Sequence, residues 1–235
     1  MNILVFDTCF EACSAAVVRA VPGGVSVSAA RFEPMAQGHA ERLIPMIAEV
    51  MDEVGLGFSQ LDRIGVTVGP GSFTGTRIGV AAARAFALAH GTTLAGLTSL
   101  EVMAAEAGQH AGATQGRQIL VAVDVRRGET YCQLFDFRGM VAQGEPRIMT
   151  VAEAADSVRG RAVWAVGSAA EGIAAHAGDE GRLSWGLAKL LPDARFAVTL
   201  VKSRLDTMPQ VVPLYLRAPD AKPPASGPLL RAVHL

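Results

Sequence analysis

Apolar residues recur along the first part of the chain with two different spacings. Asn2–Asp7 is almost continuously apolar, which is typical of a buried strand. Residues 13–18 and 25–32 predict two more strands, which are joined by a Pro-Gly-Gly turn. Residues 43–54 repeat apolar side chains every three or four positions and stop at Gly55, which predicts a helix. The chain is therefore expected to open with an antiparallel meander and to continue into a helix.

The pattern then alternates between strands and helices and later repeats. Residues 64–68 and Thr93–Leu97 predict strands, with a helix between them. Thr98-Ser99-Leu100-Glu101 has the form of a capping box, in which threonine and glutamate side chains satisfy free backbone N–H groups. The same pattern starts at Thr150 and at Ser168, so three helix starts are predicted. A second strand meander is predicted at residues 118–124, 129–137 and 140–149.

The order of the predicted elements indicates a duplication. Two strand meanders, each followed by alternating helices and strands, predict two related α/β domains built on mixed sheets. We place the first domain at residues 1–98 and the second at residues 99–217. Residues 218–235 contain four prolines and no periodicity, and we expect this tail to be loosely ordered.

Composition and charge narrow the class of protein. Of the 235 residues, 50% are hydrophobic and 18% are charged, which is typical of a globular protein. A net charge of −1 argues against a protein that binds nucleic acid by itself. The chain starts directly in an apolar strand without a basic leader, and no apolar run reaches membrane-spanning length. The odd number of cysteines, three, then predicts a reducing, cytoplasmic location.

The run from Gly69 to Gly79 carries the densest group of turn residues. Between a strand and a helix, such a run can direct backbone N–H groups at an anion. It does not match a P-loop because no lysine lies near it, and Thr74 occupies the third glycine position of a dinucleotide fingerprint. We therefore interpret the run as a tight turn in which Ser72 or Thr74 caps the next helix.

The ends of two predicted strands carry aspartates. Asp7 precedes Thr8, where an aspartate can position a phosphate-bound metal or a water molecule, or can cap its own turn. Asp124 ends the corresponding strand of the second half, which favours a repeated structural role for both aspartates. No cofactor is predicted, and the candidate cofactor-binding residues are Asp7, Thr8, Gly71 and Ser72.

Metal-binding and nucleophilic motifs are incomplete. His39 precedes the first helical repeat, but Leu43 stands four residues later, where a helical metal site needs a second histidine. Ser72 lacks the G-x-S-x-G spacing of a nucleophile elbow, and no cysteine lies next to a base in the sequence. We predict neither catalytic residues nor a metal site.

The first two predicted helices have an unusual composition. Residues 79–89 are almost all alanine around a few larger side chains, and such a helix lets a neighbouring backbone approach closely. The preceding helix carries Met46 and Met51, whose flexible side chains adapt to irregular surfaces. Both helices fit a binding face as well as a core-facing role, and the residues alone leave these alternatives open.

Several motifs resemble the bacterial TsaB (YeaZ) family. The resemblance spans residue 2 to about residue 220, and its most specific part is Gly-Pro-Gly-Ser-Phe-Thr-Gly-x-Arg. The matching segments are Ile3-Leu4-Val5-Phe6-Asp7-Thr8, Ser14-Ala15-Ala16, His39-Ala40-Glu41-Arg42-Leu43-Ile44-Pro45, residues 69–79, Asp124-Val125-Arg126-Arg127-Gly128-Glu129-Thr130-Tyr131 and Pro213-Leu214-Tyr215-Leu216-Arg217.

The resemblance implies a two-domain actin/hexokinase-like (ASKHA, ribonuclease H-like) fold with mixed sheets flanked by helices. It implies a non-catalytic, cytoplasmic partner of the transferase TsaD, needed to form N6-threonylcarbamoyladenosine on tRNAs that read ANN codons. TsaD carries a histidine pair on its first helix that holds the catalytic metal, and Leu43 replaces the second histidine here. The ATPase TsaE joins the same assembly, tRNA is contacted only through the complex, and a homodimer is expected when TsaD is absent.

The resemblance also places the partner surface on the first two helices, at about residues 41–54 and 76–89. Two other functions stay open: a nucleotide-binding kinase or ATPase that uses Asp7 and residues 69–75, and a metallopeptidase. Candidates for contact with tRNA are Arg126, Arg127 and Arg217. The expected interface residues are His39, Leu43, Ile47, Val50, Arg77, Ala82, Ala85 and Phe86.

Overall fold

The computed structural model describes residues 1–21, 24–110, 118–125, 128–178, 182–204 and 211–217. The predicted tail at 218–235, Arg126 and Arg127 lie outside the described residues. The strands are β1 (Asn2–Asp7), β2 (Ala12–Val21), β3 (Gly24–Pro34), β4 (Arg63–Thr67), β5 (Thr93–Leu97), β6 (Gln118–Val125), β7 (Glu129–Asp136), β8 (Val141–Ala142), β9 (Arg147–Thr150), β10 (Val163–Val166) and β11 (Leu183–Gly186). The helices are α1 (His39–Val54), α2 (Phe73–His90), α3 (Ser99–Gln109), α4 (Val151–Ser157), α5 (Ala170–Ala177) and α6 (Ala194–Ser203), with a short 3-10 turn at Phe58–Gln60.

Two sheets share one topology. The first has the order β3-β2-β1-β4-β5, in which the β1–β2 and β2–β3 pairs are antiparallel and the others are parallel. The second has the order β11-β10-β6-β7-β8, and β9 also pairs with β7. In it, β6 pairs antiparallel with β7 and parallel with β10, which pairs parallel with β11. Thus β1 corresponds to β6, β2 to β7 and β4 to β10, which confirms the predicted duplicated α/β fold.

The first sheet is buried on both faces, and β1 shows why its sequence is continuously apolar. Successive side chains of a strand point to opposite faces. Leu4 and Phe6 pack in the cluster that includes the buried stripe of α1 and part of α2. Ile3 and Val5 pack in the opposite cluster, which includes the buried residues of α6.

The second sheet is also covered on both faces, and α3 lies between the two sheets. Leu100 and Met103 of α3 pack on one face of the second sheet. Val102 of the same helix packs with α6 in the cluster of the first sheet. The other face of the second sheet carries α4 and α5, represented by Ala155 and Ile173. A single helix therefore joins the two cores.

The C-terminal part of the described chain returns to the first sheet. Val198 and Val201 of α6 pack against that sheet, and Val211 is buried in the cluster on its other face. The backbone N–H of Leu214 donates to the carbonyl oxygen of Val68 over 2.6 Å. The division of the chain at residues 98 and 99 stays a prediction, but segments of the second predicted domain complete the core of the first.

Local predictions agree with the structure in most elements and fail in two. The capping boxes at Thr98 and Thr150 are present, whereas the one predicted at Ser168 is wrong. The hydroxyl of Ser168 instead accepts a hydrogen bond from the backbone N–H of Asp124 over 2.8 Å, so it serves the end of β6. The strand predicted at residues 140–149 is two short strands, because Gly144 adopts a φ of 116° between them.

Among the described residues, none of the helices combines the length and the apolar character that crossing a bilayer requires.

We expect the three cysteines to be unreactive in the folded protein. All three are buried free thiols, and burial raises the pKa of Cys132 to about 11 and that of Cys13 to about 12. Burial raises the pKa of Cys9 as well. Because the thiolate is the reactive form, iodoacetamide at pH about 8 should modify no cysteine before unfolding and all of them in guanidinium chloride. Mass spectrometry measures the modification, and rapid labelling of the folded protein would contradict the burial.

Candidate functional site

A cleft of about 860 Å³ lies between the two halves of the molecule. The turn after β1, the start of α1, the first turn of α2 and the end of β6 form its walls. A cleft of this size between two α/β units is large enough for a small ligand. Its lining residues with polar or charged side chains include His39, Ser72, Asp124, Tyr131 and Arg217.

The glycines of residues 69–79 serve close packing against the turn after β1. A Cβ on Gly71 would lie 2.4 Å from the carbonyl oxygen of Cys9, and one on Gly75 would lie 2.0 Å from that of Thr8. The backbone N–H of Ser72 donates to the same Cys9 oxygen over 2.7 Å, and the Thr8 hydroxyl donates to the Gly75 oxygen over 2.7 Å. These glycines allow two backbones to meet, which accounts for them without a phosphate.

A capped helix, α2, begins within residues 69–79, as predicted. Ser72 is the N-cap of α2, and its hydroxyl accepts the backbone N–H of Gly75 over 3.0 Å. Thr74, the alternative candidate, is an exposed residue of the first helical turn. The hydroxyl of Ser72 is therefore occupied by the helix that it starts, and none of the residues that the structure describes pairs it with a base that could activate it as a nucleophile.

Asp7 and Thr8 do not line the cleft. Both are almost completely buried, so these two candidate cofactor-binding residues are not accessible to a ligand in the cleft. The carboxylate of Asp7 accepts hydrogen bonds from the Thr67 hydroxyl and from the backbone N–H of Cys9. Burial raises the pKa of Asp7 to about 7, against the opposing effect of these hydrogen bonds. Asp7 thus caps its own turn, whereas Asp124 is exposed at the cleft and does not share this burial.

His39 is half-buried at the edge of the cleft. Its Nε2 atom lies 2.9 Å from the carbonyl oxygen of Phe10, so the ring bridges the start of α1 and the turn after β1. Leu43, one helical turn further on, is buried in the core. Within the described ranges, no group of three histidine, cysteine, aspartate or glutamate side chains could hold a metal ion.

Comparison with known proteins places the chain in a family. The model for the family described as "TsaD: tRNA N6-adenosine threonylcarbamoyltransferase" matches residues 32–184. The protein named tRNA threonylcarbamoyladenosine biosynthesis protein TsaB from Escherichia coli (strain K12) is 37% identical over 131 residues, which cover 56% of this chain and 53% of that protein. An uncharacterized protein of Mycobacterium tuberculosis (strain ATCC 25618 / H37Rv) is 33% identical over 224 residues, 94% of each chain.

A solved structure agrees with these relatives. A protein of Pseudomonas aeruginosa, described as uncharacterized and similar to the peptidase YeaZ, superposes with a TM-score of 0.77 at 25% identity, covering 92% of this chain and 99% of that one. The chain belongs to the TsaB/YeaZ family. It matches only about half the length of the relatives that carry the name TsaB.

In this TsaB/YeaZ family member, α1 and α2 pack on the same face of the first sheet. Leu43, Ile47 and Val50, which were predicted to belong to a partner interface, are buried in the protein's own core and are not accessible on its surface. The spacing that singled them out is that of the stripe that faces the sheet. His39, the remaining α1 candidate, lies at the cleft.

The interface candidates on α2 fall into two groups. Arg77 and Ala85 are exposed. Ala82 and Phe86 are partly buried against the first core, and the Phe86 ring stacks on that of Phe58 with centroids 4.8 Å apart. Ala82 and Phe86 therefore hold α2 in place, while Arg77 and Ala85 belong to its outer surface.

The outer surface of the two helices contains residues that the sequence prediction missed. Ile44 of α1 is 49% exposed and Leu88 of α2 is 89% exposed, although both are large and apolar. Ala48 and Ala81 are exposed as well. We call Ile44, Ala48, Ala81, Ala85 and Leu88 the outer face. Helical spacing could have located it among the positions opposite the buried stripe, where Ile44 and Leu88 are large apolar residues.

Proposed function

We propose that the protein is a non-catalytic partner of a TsaD-family transferase and supports N6-threonylcarbamoyladenosine formation on tRNAs that read ANN codons. The relatives named TsaB carry a name from this biosynthesis, and the matching family model is described by the transferase itself. The outer face is the observation that carries the proposal. Large exposed apolar residues beside alanines are typical of a surface that is covered by another protein.

The non-catalytic role rests on the residues at the start of α1. Two histidines four residues apart are needed to present two imidazoles from one helix face to a metal. Leu43 stands four residues after His39, and a buried hydrocarbon offers no ligand. His39 itself is engaged by the carbonyl oxygen of Phe10. We infer that chemistry on tRNA belongs to the transferase, and that this protein contributes a docking surface.

The wider assembly follows from the same proposal. The ATPase TsaE joins the pair, tRNA is contacted through the complex, and the protein works in the cytoplasm. In the absence of the transferase, the outer face is covered by a second copy of this chain.

The docking proposal is tested by placing a larger, charged side chain on the outer face at a position that does not pack against the core. We expect Ala85→Glu to weaken binding to the purified TsaD-family transferase of the same organism by about 100-fold, because a carboxylate would be buried against an apolar partner. Isothermal calorimetry measures the affinity. Ala82 is unsuitable for this experiment, since it packs against the protein's own core.

Ala175→Glu is the matched control, since Ala175 is also an exposed helical alanine, on α5 in the second half. It should bind the transferase like the wild-type protein. Both variants should melt within a few degrees of the wild type, because neither site is buried. Unchanged affinity of Ala85→Glu would remove the outer face as the docking site. Formation of the modified nucleoside without the transferase would overturn the non-catalytic role.

A further inference from the structure

A cluster of two aromatic rings and one guanidinium group lies at the start of α2. The guanidinium carbon of Arg77 lies 3.7 Å from the centroid of the Phe73 ring. Its Nε donates to the hydroxyl of Tyr215 over 2.7 Å, and the Phe73 and Tyr215 rings are 5.4 Å apart. Despite these contacts, Phe73 is 49% exposed and Tyr215 is 42% exposed. We call these three residues the aromatic cluster.

The aromatic cluster is continuous with the outer face. Residues separated by three or four positions lie on the same side of a helix. Phe73, Arg77, Ala81, Ala85 and Leu88 follow this spacing, and all five are exposed. They form one stripe along the length of α2, with a large apolar residue at each end. Phe73, which lines the cleft, and Arg77 form the end of that stripe and belong to the aromatic cluster.

Tyr215 is supplied by the C-terminal segment, and that segment is held firmly. Val211 is buried in the first core. The backbone N–H of Leu214 donates to the carbonyl oxygen of Val68, and the guanidinium of Arg217 pairs with the carboxylate of Glu129 on β7. Because the segment is attached before and after Tyr215, little conformational entropy is lost when the ring contacts a partner.

We propose that Phe73 and Tyr215, held in place by Arg77, are the aromatic anchor of the docking surface and are contributed jointly by α2 and the C-terminal segment. The proposal rests on the proposed function and extends it to residues outside the first two helices. Tyrosine and arginine are enriched among the residues that dominate binding energy in protein interfaces. A guanidinium already stacked on a ring presents such a group in its bound geometry.

The chemistry of the cluster also specifies what it contacts. The exposed parts of the Phe73 and Tyr215 side chains fit an apolar side chain on the partner. No described residue accepts a hydrogen bond from the Nη atoms of Arg77, whose Nε is bound to Tyr215. A partner carboxylate would satisfy these two donors side by side. The anchor therefore fits a transferase surface with an apolar residue next to an aspartate or glutamate.

The experiment compares the affinity of full-length variants for the purified transferase by isothermal calorimetry. We expect Phe73→Ala and Tyr215→Ala each to weaken binding by about 20-fold. Phe73→Ala tests the anchor without substituting a residue of the C-terminal segment. Tyr215→Phe keeps the ring and should bind within about three-fold of the wild type. Trp185→Ala is the matched control, because Trp185 is a 45% exposed aromatic residue on β11, and it should bind unchanged.

The outcomes separate this proposal from the proposed function. If Ala85→Glu abolishes binding while Phe73→Ala and Tyr215→Ala bind like the wild type, the outer face stands and the anchor is overturned. If the two alanine variants keep transferase affinity but weaken tRNA binding by the assembled complex, the rings stack on bases instead, and the proposal is wrong. Failure of the wild-type protein to bind the transferase would overturn the proposed function and the anchor with it.

Discussion

Replacement of Gly75 by alanine is expected to destabilise the protein by about 3 kcal/mol. The new Cβ would lie 2.0 Å from the carbonyl oxygen of Thr8 and 2.6 Å from the hydroxyl oxygen of Ser72. The first atom belongs to the backbone of the turn after β1, and the second caps α2. Neither can retreat without moving a structural element, so α2 would separate from β1 at its first turn. The added clash exceeds the preference of a helix for alanine over glycine, about 1 kcal/mol.

Gly172→Ala provides the matched control for this substitution. Gly172 also lies within a helix, but a Cβ there would be 3.8 Å from the nearest side-chain atom, on Val151, which is ordinary contact. We expect that variant to be as stable as the wild type or up to about 1 kcal/mol more stable. Urea unfolding followed by circular dichroism measures both. Wild-type stability of Gly75→Ala would show that the glycine run is not closely packed against the turn.

Asp7→Asn is expected to remove a large pH dependence of stability. Burial, with a smaller contribution from the nearby Asp193, raises the pKa of Asp7 from 3.8 to about 7 against the opposing effect of the hydrogen bonds from Thr67 and Cys9. Between pH about 4 and about 7, the folded protein holds a proton on Asp7 that the unfolded chain has released. Raising the pH through this range therefore favours unfolding, and this group alone should lower the free energy of unfolding by roughly 4 kcal/mol.

The asparagine variant should lack this decrease because its amide carries no charge. At pH about 8 we expect it to be roughly 2 kcal/mol more stable than the wild type, the gain being reduced by one imperfect hydrogen bond to Thr67 or Cys9. Asp52→Asn changes an exposed carboxylate and should reproduce the wild-type curve. Urea unfolding at a series of pH values measures the effect. Parallel curves for Asp7→Asn and the wild type would show that Asp7 is ionised at neutral pH in the folded state.

The cleft and the outer face have different origins, although α2 contributes to both. At the cleft, the start of α2 meets the turn after β1 and the end of β6, so this site depends on how the two halves are placed. The outer face depends only on α1 and α2, because it is what remains exposed once their buried stripes contact the first sheet. A partner on the outer face would reach the cleft through Phe73, which belongs to the aromatic cluster and also lines the cleft.

Predictions failed where a side chain had two suitable partners. Ser168 fits a capping box by spacing, but it caps the end of β6 because that strand ends beside it in the fold. The predicted interface residues Leu43, Ile47 and Val50 recur at the spacing of a core stripe, and in the structure they face the sheet. Local sequence does not reveal which of two equivalent contacts is nearer.

The sequence by itself determined the alternation of elements, the helix caps at Thr98 and Thr150, a cap of α2 at Ser72 or Thr74, and the duplicated α/β plan, because spacing and element order along the chain carry these features. Only the tertiary structure decided that the glycine run packs against Thr8 and Cys9, that Asp7 is buried, and which side of each helix is exposed. It also brought Tyr215 to Arg77. The contacts of Thr8 with Gly75 and of Tyr215 with Arg77 join residues more than sixty positions apart. Burial and exposure depend on which surfaces the sheet covers. Spacing along the chain predicts neither the distant contacts nor the covered surfaces.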